Sequence, residues 1–154
     1  MLKERVLITG ASGFIGTRLT EYLLAKDYAV IGLSRKKDLV SPHPDMQWIT
    51  ALSELKTDQI DYVINLAGES IGQGRWTAAR KQKLIASRVQ TTEQLYRYLE
   101  QRRIVPKCII SGSAIGYYGI DTTEQWQQAC TEQSPAQTIF QSELCQQWEQ
   151  TALQ

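Results

Sequence analysis

The 154-residue sequence has little of what several common function classes require. It contains one histidine and three cysteines, and Cys108, Cys130 and Cys145 show no paired Cys-x-x-Cys spacing. An odd and scattered set of cysteines argues against both a disulfide framework and a zinc site. The histidine, His43, lies in a polar loop segment without a His or Cys partner, which favours a solvated residue over a metal ligand or a base. We therefore expect no metal site.

The chain also lacks a strong charge of either sign and any long apolar run. Its formal net charge of +1 gives no reason to expect a nucleic acid or an anionic membrane surface as a partner. No apolar run approaches the ~20 residues that cross a bilayer. Lys3, Glu4 and Arg5 make the N-terminus polar, unlike a signal peptide. The sequence thus predicts a cytoplasmic, single-domain protein without membrane attachment.

The most informative segment runs from Val6 to Gly16 and reads VLITGASGFIG. It has the pattern of a short apolar strand, a tight glycine turn and the first turn of a helix. Gly10 permits the sharp exit from the strand, Gly13 lets a diphosphate approach the backbone, and Gly16 lets the helix lie close to the sheet. The free N–H groups of the helix then face the phosphates, although a plain strand–turn–helix connection is the alternative. The residues expected to bind the diphosphate are Gly10, Ser12, Gly13, Phe14, Ile15 and Gly16.

Strand-like and helix-like segments alternate along the whole chain, which predicts a parallel sheet covered by helices on both faces. Further strands are predicted at 29–34, 46–50, 61–66 and 107–111, and helices at about 77–101 and from about 135 onward. A Gln-rich loop is expected between Trp126 and Trp148. Because the final segment reads as a helix with no strand after it, we expect the chain to be the N-terminal part of a longer protein.

Ser34 and Arg35 follow the second predicted strand, where dinucleotide-binding folds distinguish NAD from NADP. An acidic residue at this place would accept hydrogen bonds from the ribose hydroxyls of NAD, whereas an arginine can pair with the 2′-phosphate of NADP. Asp38 comes several residues too late for the first role, and Lys36 and Lys37 add positive charge. We therefore predict NADP rather than NAD. The alternative is that Arg35 belongs to a solvated basic loop.

Three further candidates lie farther along the chain. Ala67 and Gly68 follow the strand at 61–66 and would let the adenine-ribose portion lie against the backbone, although such pairs also form ordinary turns. Arg88 stands among apolar residues at helical spacing, so it either extends to the surface or reaches a cofactor phosphate or ribose. Ser113 follows the last predicted strand. Its hydroxyl either hydrogen-bonds a substrate during hydride transfer or forms a turn.

Together these segments resemble the short-chain dehydrogenase/reductase superfamily in its extended, epimerase/dehydratase-like branch. The cofactor loop, second motif and active-site serine strand of that branch are similar to residues 9–16, 65–68 and 111–113. A subgroup of uncharacterised NADP-binding epimerase-like proteins is similar over nearly all of the chain. The resemblance implies a three-layer Rossmann fold with a doubly wound parallel sheet in the order 3-2-1-4-5. It also implies an NADP site lined by Ser34, Arg35, Leu66, Ala67 and Arg88.

One departure from that family concerns proton transfer. The superfamily's active site has a Tyr-x-x-x-Lys pair on the helix after the serine, and the lysine lowers the pKa of the tyrosine. In this sequence Phe140 and Leu144 stand at the corresponding positions. A proton donor would have to come from elsewhere, such as Tyr117, Tyr118 or Glu69. Ordinary dehydrogenase chemistry is therefore in doubt.

The leading hypothesis is that residues 1–154 form the NADP-binding domain of an epimerase/dehydratase-like oxidoreductase, with Ser113 nearest the nicotinamide. The fragment is expected to be inactive because a C-terminal substrate region is missing. Its small-molecule substrate is unidentified, with nucleotide sugars or related compounds as one class, and the long helix around 84–99 offers a surface for a homodimer. The rival is a non-catalytic protein that uses NADP as a structural or redox-sensing ligand. An interaction module without a ligand is disfavoured by the intact glycine turn.

Overall fold

The computed structural model describes residues 2–41, 43–121 and 129–154. Five parallel strands form one sheet in the order β3-β2-β1-β4-β5. The strands are β1 (Arg5–Thr9), β2 (Ala29–Leu33), β3 (Met46–Ile49), β4 (Tyr62–Asn65) and β5 (Cys108–Ser111). The predicted doubly wound α/β fold and its strand order are confirmed.

The helices are α1 (Phe14–Ala25), α2 (Ala78–Ile85), α3 (Thr91–Gln101) and α4 (Phe140–Ala152). A π-helical turn, Ala86–Gln90, joins α2 to α3, so the helical run predicted at about 77–101 is present with one widened turn. Among the described residues, no helix is long and apolar enough to cross a bilayer.

The last helix begins at Phe140 and not at about 135 as predicted. The reason is a competing pairing: the side-chain amide of Gln137 accepts from the N–H of Ile120 and donates to its carbonyl oxygen, at 3.1 and 2.9 Å. Ile139 is extended and leads directly into the helix. Trp126, expected to bracket the Gln-rich loop, lies outside the described residues.

The core has two halves because side chains alternate across each strand. Leu7, Ile31 and Val63 point to the face covered by α3, where they meet Leu95 and Leu99. On the opposite face, packing against α1, the buried strand residues are Val6, Ile8, Val30 and Ile64. This arrangement of helix, sheet and helix gives three layers, and it places the carboxyl ends of β1, β2 and β4 side by side.

Candidate functional site

The glycine turn between β1 and α1 lies at the centre of the sheet's carboxyl edge. Gly10 has a φ of 68°, in the left-handed region that glycine adopts without strain. A Cβ atom at Gly10 would lie 2.8 Å from the carbonyl oxygen of Leu66, so the turn packs directly on the backbone that leaves β4. A Cβ at Gly16 would lie 2.7 Å from both Cα and O of Ala11. The close approach of α1 that the sequence predicted is therefore present.

The N-terminus of α1 is open to the crevice above this turn. Gly13 is the N-cap residue, and no side chain in the described part of the chain caps the helix. The first turn carries no acidic residue, so nothing there offsets the positive end of the helix dipole. Phe14 is 93% exposed and Ile15 is 63% exposed. This end of α1 offers unpaired N–H groups to an anion.

The glycine turn is tied to the end of β2 by two serines. The hydroxyl oxygens of Ser12 and Ser34 lie 2.6 Å apart, and the Ser34 hydroxyl also accepts from the N–H of Lys36 at 3.1 Å. Ser34 is buried, whereas Arg35 beside it is mostly exposed. The structure thus brings the diphosphate candidates and the Ser34–Arg35 pair to one crevice.

A buried polar network joins the carboxyl ends of β1 and β4. The hydroxyl of Thr9 donates to the Asn65 side-chain oxygen at 2.6 Å and accepts from the N–H groups of Leu66 and Ala67, each at 3.1 Å. The side-chain nitrogen of Asn65 donates to the hydroxyl of Thr92 on α3 at 2.7 Å. Leu66 and Ala67 are therefore held in place from below by groups that sequence reasoning did not single out.

The same network reaches the last strand and the last helix. Asn65 also donates to the hydroxyl of Ser111 at 3.3 Å, and the indole N–H of Trp148 donates to the hydroxyl of Thr92 at 3.2 Å. Thr92 in turn donates to the carbonyl oxygen of Arg88 at 2.7 Å. The Asn65 amide, together with the Thr92 hydroxyl, thus links strands β1, β4 and β5 to helices α3 and α4.

Arg88 lies underneath the segment that follows β4. Its guanidinium is half-buried, donates to the carbonyl oxygen of Glu69 at 2.9 Å and lies 5.4 Å from the centroid of the Trp148 ring. A Cβ at Gly68 would come within 3.0 Å of its central carbon atom. Burial lowers the pKa of Arg88 from its ordinary value. The side chain therefore supports the loop at Gly68 and does not extend freely into solvent.

Glu69 joins Arg35 to Arg80 across the mouth of the crevice. Its two carboxylate oxygens accept from Arg35 at 2.6 Å and from Arg80 at 2.9 Å. These two hydrogen bonds lower the pKa of Glu69 to about 2. A carboxyl group that is ionised at neutral pH has no proton to give, so Glu69 does not suit the role of replacement proton donor. Sequence reasoning missed this cluster, because Glu69 stands 34 positions from Arg35.

Ser113 lies at a second cleft beyond β5. Its hydroxyl donates to a carboxylate oxygen of Glu149 on α4 at 2.5 Å. Both residues line a cleft of about 530 Å³, together with Tyr117 and Tyr118, whose rings meet edge to face at 5.4 Å. The sequence predicted the place of Ser113, but it gave no signal for its partner Glu149.

The positions of the missing Tyr-x-x-x-Lys pair are used for packing. The Phe140 ring meets the Trp76 ring edge on, with centroids 5.5 Å apart, and Leu144 is 1% exposed. The spacing does occur elsewhere, at Tyr22 and Lys26. These residues lie at the end of α1 opposite the glycine turn, with the Lys26 amine 5.7 Å from the Tyr22 ring centroid. They are therefore too far along the helix to serve the crevice.

A doubly wound parallel sheet with a glycine turn after its central strand defines the Rossmann class of α/β folds. The profile of the NAD dependent epimerase/dehydratase family matches residues 6–147. The chain belongs to this family, as the sequence motifs predicted.

Individual relatives agree with this assignment. An epimerase family protein of Staphylococcus saprophyticus is 35% identical over 98% of this chain and 50% of its own length. One from Mycobacterium leprae is 36% identical over 98% of this chain and 48% of its own length. A solved structure of the human epimerase family protein SDR39U1 (isoform 2) with NADPH is 31% identical, with a TM-score of 0.77 over 96% of this chain and 48% of that one. The chain therefore spans about half the length of these relatives.

Removing the amide that joins the strand ends should destabilise the whole domain. Asn65→Ala deletes the bonds to Thr9, Thr92 and Ser111 and leaves buried polar groups without partners. We expect a loss of about 2–3 kcal/mol in the free energy of unfolding. Urea denaturation measures it, with the exposed α3 substitution Gln94→Ala as the control. A loss no larger than that of the control would contradict the role given to this network.

The close contact of α1 with the glycine turn makes a second prediction. Gly16→Ala places a methyl group against backbone atoms of Ala11, which cannot rotate away, so α1 must shift. We expect a loss of about 1–3 kcal/mol in stability, the range for overpacking. Gly13→Ala is the matched control, because its Cβ would approach a single backbone oxygen at 3.1 Å. Equal thermal stability of the two variants would show that the packing argument is wrong.

Proposed function

We propose that this chain is the NADP-binding domain of an epimerase/dehydratase-like oxidoreductase. The observation that carries the proposal is the uncapped N-terminus of α1, which stands over a turn where Gly10 and Gly16 leave no room for a Cβ. Such a turn lets a diphosphate approach backbone N–H groups closely. The relative solved with NADPH supports the same type of ligand.

The crevice would hold the dinucleotide in a defined order along the sheet edge. The diphosphate would lie over Gly10, Ser12, Gly13, Phe14, Ile15 and Gly16. Ser34 and Arg35 would bind the 2′-phosphate, and Leu66, Ala67 and Gly68 would flank the adenosine. Arg88 would help to hold the cofactor from below residues 66–68, where its guanidinium already packs against Gly68. Ser113 would lie nearest the nicotinamide, at the cleft that it shares with Glu149.

The end of β2 favours NADP over NAD. Arg35 is 79% exposed, so its remaining guanidinium N–H groups can reach a phosphate without desolvating a buried charge. The buried hydroxyl of Ser34 adds a further polar group beside it. An acid directly after β2 would instead favour the free ribose hydroxyls of NAD, and none stands at 34–37.

The chemistry would differ from that of the family's tyrosine-containing members. Bound NADP would supply a hydride donor or acceptor. Ser113, whose hydroxyl hydrogen goes to Glu149, would accept a hydrogen bond from a substrate hydroxyl. Phe140 and Leu144 supply no proton. The fold alone does not fix the substrate. The relatives are about twice as long as this chain, and a substrate of the nucleotide-sugar or related classes would bind with the help of that additional half. The 154-residue chain alone would be inactive.

A second candidate is a non-catalytic protein that uses NADP as a structural or redox-sensing ligand. The observation that favours it is the packing of Phe140 against Trp76 and the burial of Leu144, at the two positions where the superfamily has its tyrosine and lysine. Both candidates share the dinucleotide site and differ only in whether hydride is transferred.

Replacing the arginine after β2 tests the cofactor preference. Arg35→Gln should weaken NADPH binding about tenfold, since a charged hydrogen bond contributes about 1.5 kcal/mol or more. NADH binding should change less than twofold. Fluorescence titration with each dinucleotide measures both, and Arg102→Gln, far from the crevice near the end of α3, is the control. Equal affinity of the unmodified chain for the two dinucleotides would remove the argument from Arg35.

Label transfer separates the two candidate functions. If the domain serves an oxidoreductase, a longer protein containing it should move deuterium from 4-deuterated NADPH to an added carbonyl substrate, and the 154-residue chain should bind NADPH without consuming it. Mass spectrometry of the products measures the transfer. Tight binding with no transfer to any of a panel of nucleotide-sugar and related carbonyl compounds would favour the sensor instead.

A further inference from the structure

The carboxylate of Glu69 forms an ion pair with Arg35, the residue that the proposed function assigns to the 2′-phosphate. Its Oε1 atom lies 2.6 Å from Nη1 of Arg35, the distance of a strong charge-assisted hydrogen bond. A phosphate monoester would approach the same guanidinium, because carboxylates and phosphates use the same N–H donors. The Glu69 carboxylate and a bound phosphate would therefore compete for Arg35 at the mouth of the crevice.

We propose that Glu69 is a specificity-determining residue, an internal anion that a 2′-phosphate must displace from Arg35. The inference rests on the proposed NADP site. Glu69 would lower the affinity for NADPH while leaving that for NADH nearly unchanged, and so it would set how strongly the domain discriminates between the two.

The exchange is feasible because the two arginine partners of Glu69 differ in exposure. Arg35 is 79% exposed, whereas Arg80 is 17% exposed and also donates to the carbonyl oxygen of Ser70. When a phosphate takes Arg35, the second oxygen of Glu69 keeps its bond to Arg80 at 2.9 Å. No buried charge is then left without a partner, and the cost of the exchange stays small.

Glu69 cannot move far away once it has been displaced. Its backbone N–H donates to the hydroxyl of Ser87 at 3.0 Å, and its carbonyl oxygen accepts from Arg88 at 2.9 Å. These contacts fix the residue next to the site that the phosphate would enter. Its negative charge therefore remains a few ångströms from the phosphate, where like charges repel.

The size of the effect follows from this geometry. At about 5 Å in water, unscreened repulsion between a carboxylate and a phosphate carrying nearly two charges corresponds to about a fifteenfold change in affinity, and salt at physiological ionic strength reduces this to about fivefold. The carboxylate is ionised throughout the neutral range, because the hydrogen bonds from Arg35 and Arg80 lower its pKa to about 2. Between about pH 6 and pH 8 the penalty should therefore change only through the charge of the phosphate, whose second pKa is about 6.

The experiment is a thermodynamic cycle on Glu69 and Arg35, with NADPH and NADH as the probes. Dissociation constants are measured by calorimetry for the unmodified chain, Glu69→Gln, Arg35→Gln and the double variant. We expect Glu69→Gln to strengthen NADPH binding at least fivefold and to leave NADH binding within twofold. In the Arg35→Gln background the gain should be smaller, because the repulsion between carboxylate and phosphate remains but no Arg35–Glu69 ion pair has to be broken. Glu93→Gln, which removes an exposed acid from α3, controls for net charge.

Each result decides one of the two claims. If Glu69→Gln weakens NADPH binding or leaves it unchanged, or if it acts equally with and without Arg35, the inference about Glu69 is overturned and the NADP site stands. If no variant binds either dinucleotide, the proposed function itself fails. Should Glu69→Gln not fold, Glu69→Asp serves instead, because it keeps a charge for Arg80 but reaches less far toward Arg35. Strengthened NADPH binding by that variant supports the inference, and weakened or unchanged binding overturns it.

Discussion

The side-chain amide of Asn65 is the interaction on which the arrangement of the crevice depends. It accepts from Thr9 and donates to Thr92 and Ser111, so the ends of β1, β4 and β5 are fixed relative to one another and to α3. An amide suits this position because it offers an acceptor and two donors in one plane. In a buried setting each of these groups needs a partner, and the network supplies one for each. An apolar residue of the same size would fill the space without fixing the register of the strand ends.

Above this base, the crevice combines a rigid floor with a charged rim. The floor is backbone: Gly10 packs on Leu66, and Arg88 supports Gly68 from below. The rim is the ion cluster in which Glu69 holds both Arg35 and Arg80. The arginines at this edge of the sheet can attract an anionic ligand. They also form ion pairs with Glu69, although the three residues are far apart in the sequence. The cations of the site are therefore already paired with Glu69, and an anionic ligand must compete with that carboxylate.

The sequence predicted the fold better than it predicted the site's contacts, for a physical reason. The strands and the conformation at Gly10 follow from local periodicity and from a turn that only glycine forms easily, and the strand order is the one that the family resemblance implies. The pairs Arg35–Glu69 and Ser113–Glu149 join residues 34 and 36 positions apart, and no local pattern specifies them. These two contacts depend on how the segments after the strands are arranged once the sheet has packed. The late start of α4 has the same origin, since a side chain from its expected first turn pairs with a distant backbone.

The replacement of the tyrosine–lysine pair shows how one helix position can serve either chemistry or packing. A lysine at the place of Leu144 would bring a charge to a site that is 1% exposed, and burying an unpaired ammonium group is costly. A tyrosine at the place of Phe140 would keep the contact with Trp76 and add a hydroxyl. The two substitutions are therefore unequal: restoring the tyrosine is compatible with this packing, whereas restoring the lysine would bury its ammonium group. The cleft side of α4 is polar by contrast, because Glu149 meets Ser113 there.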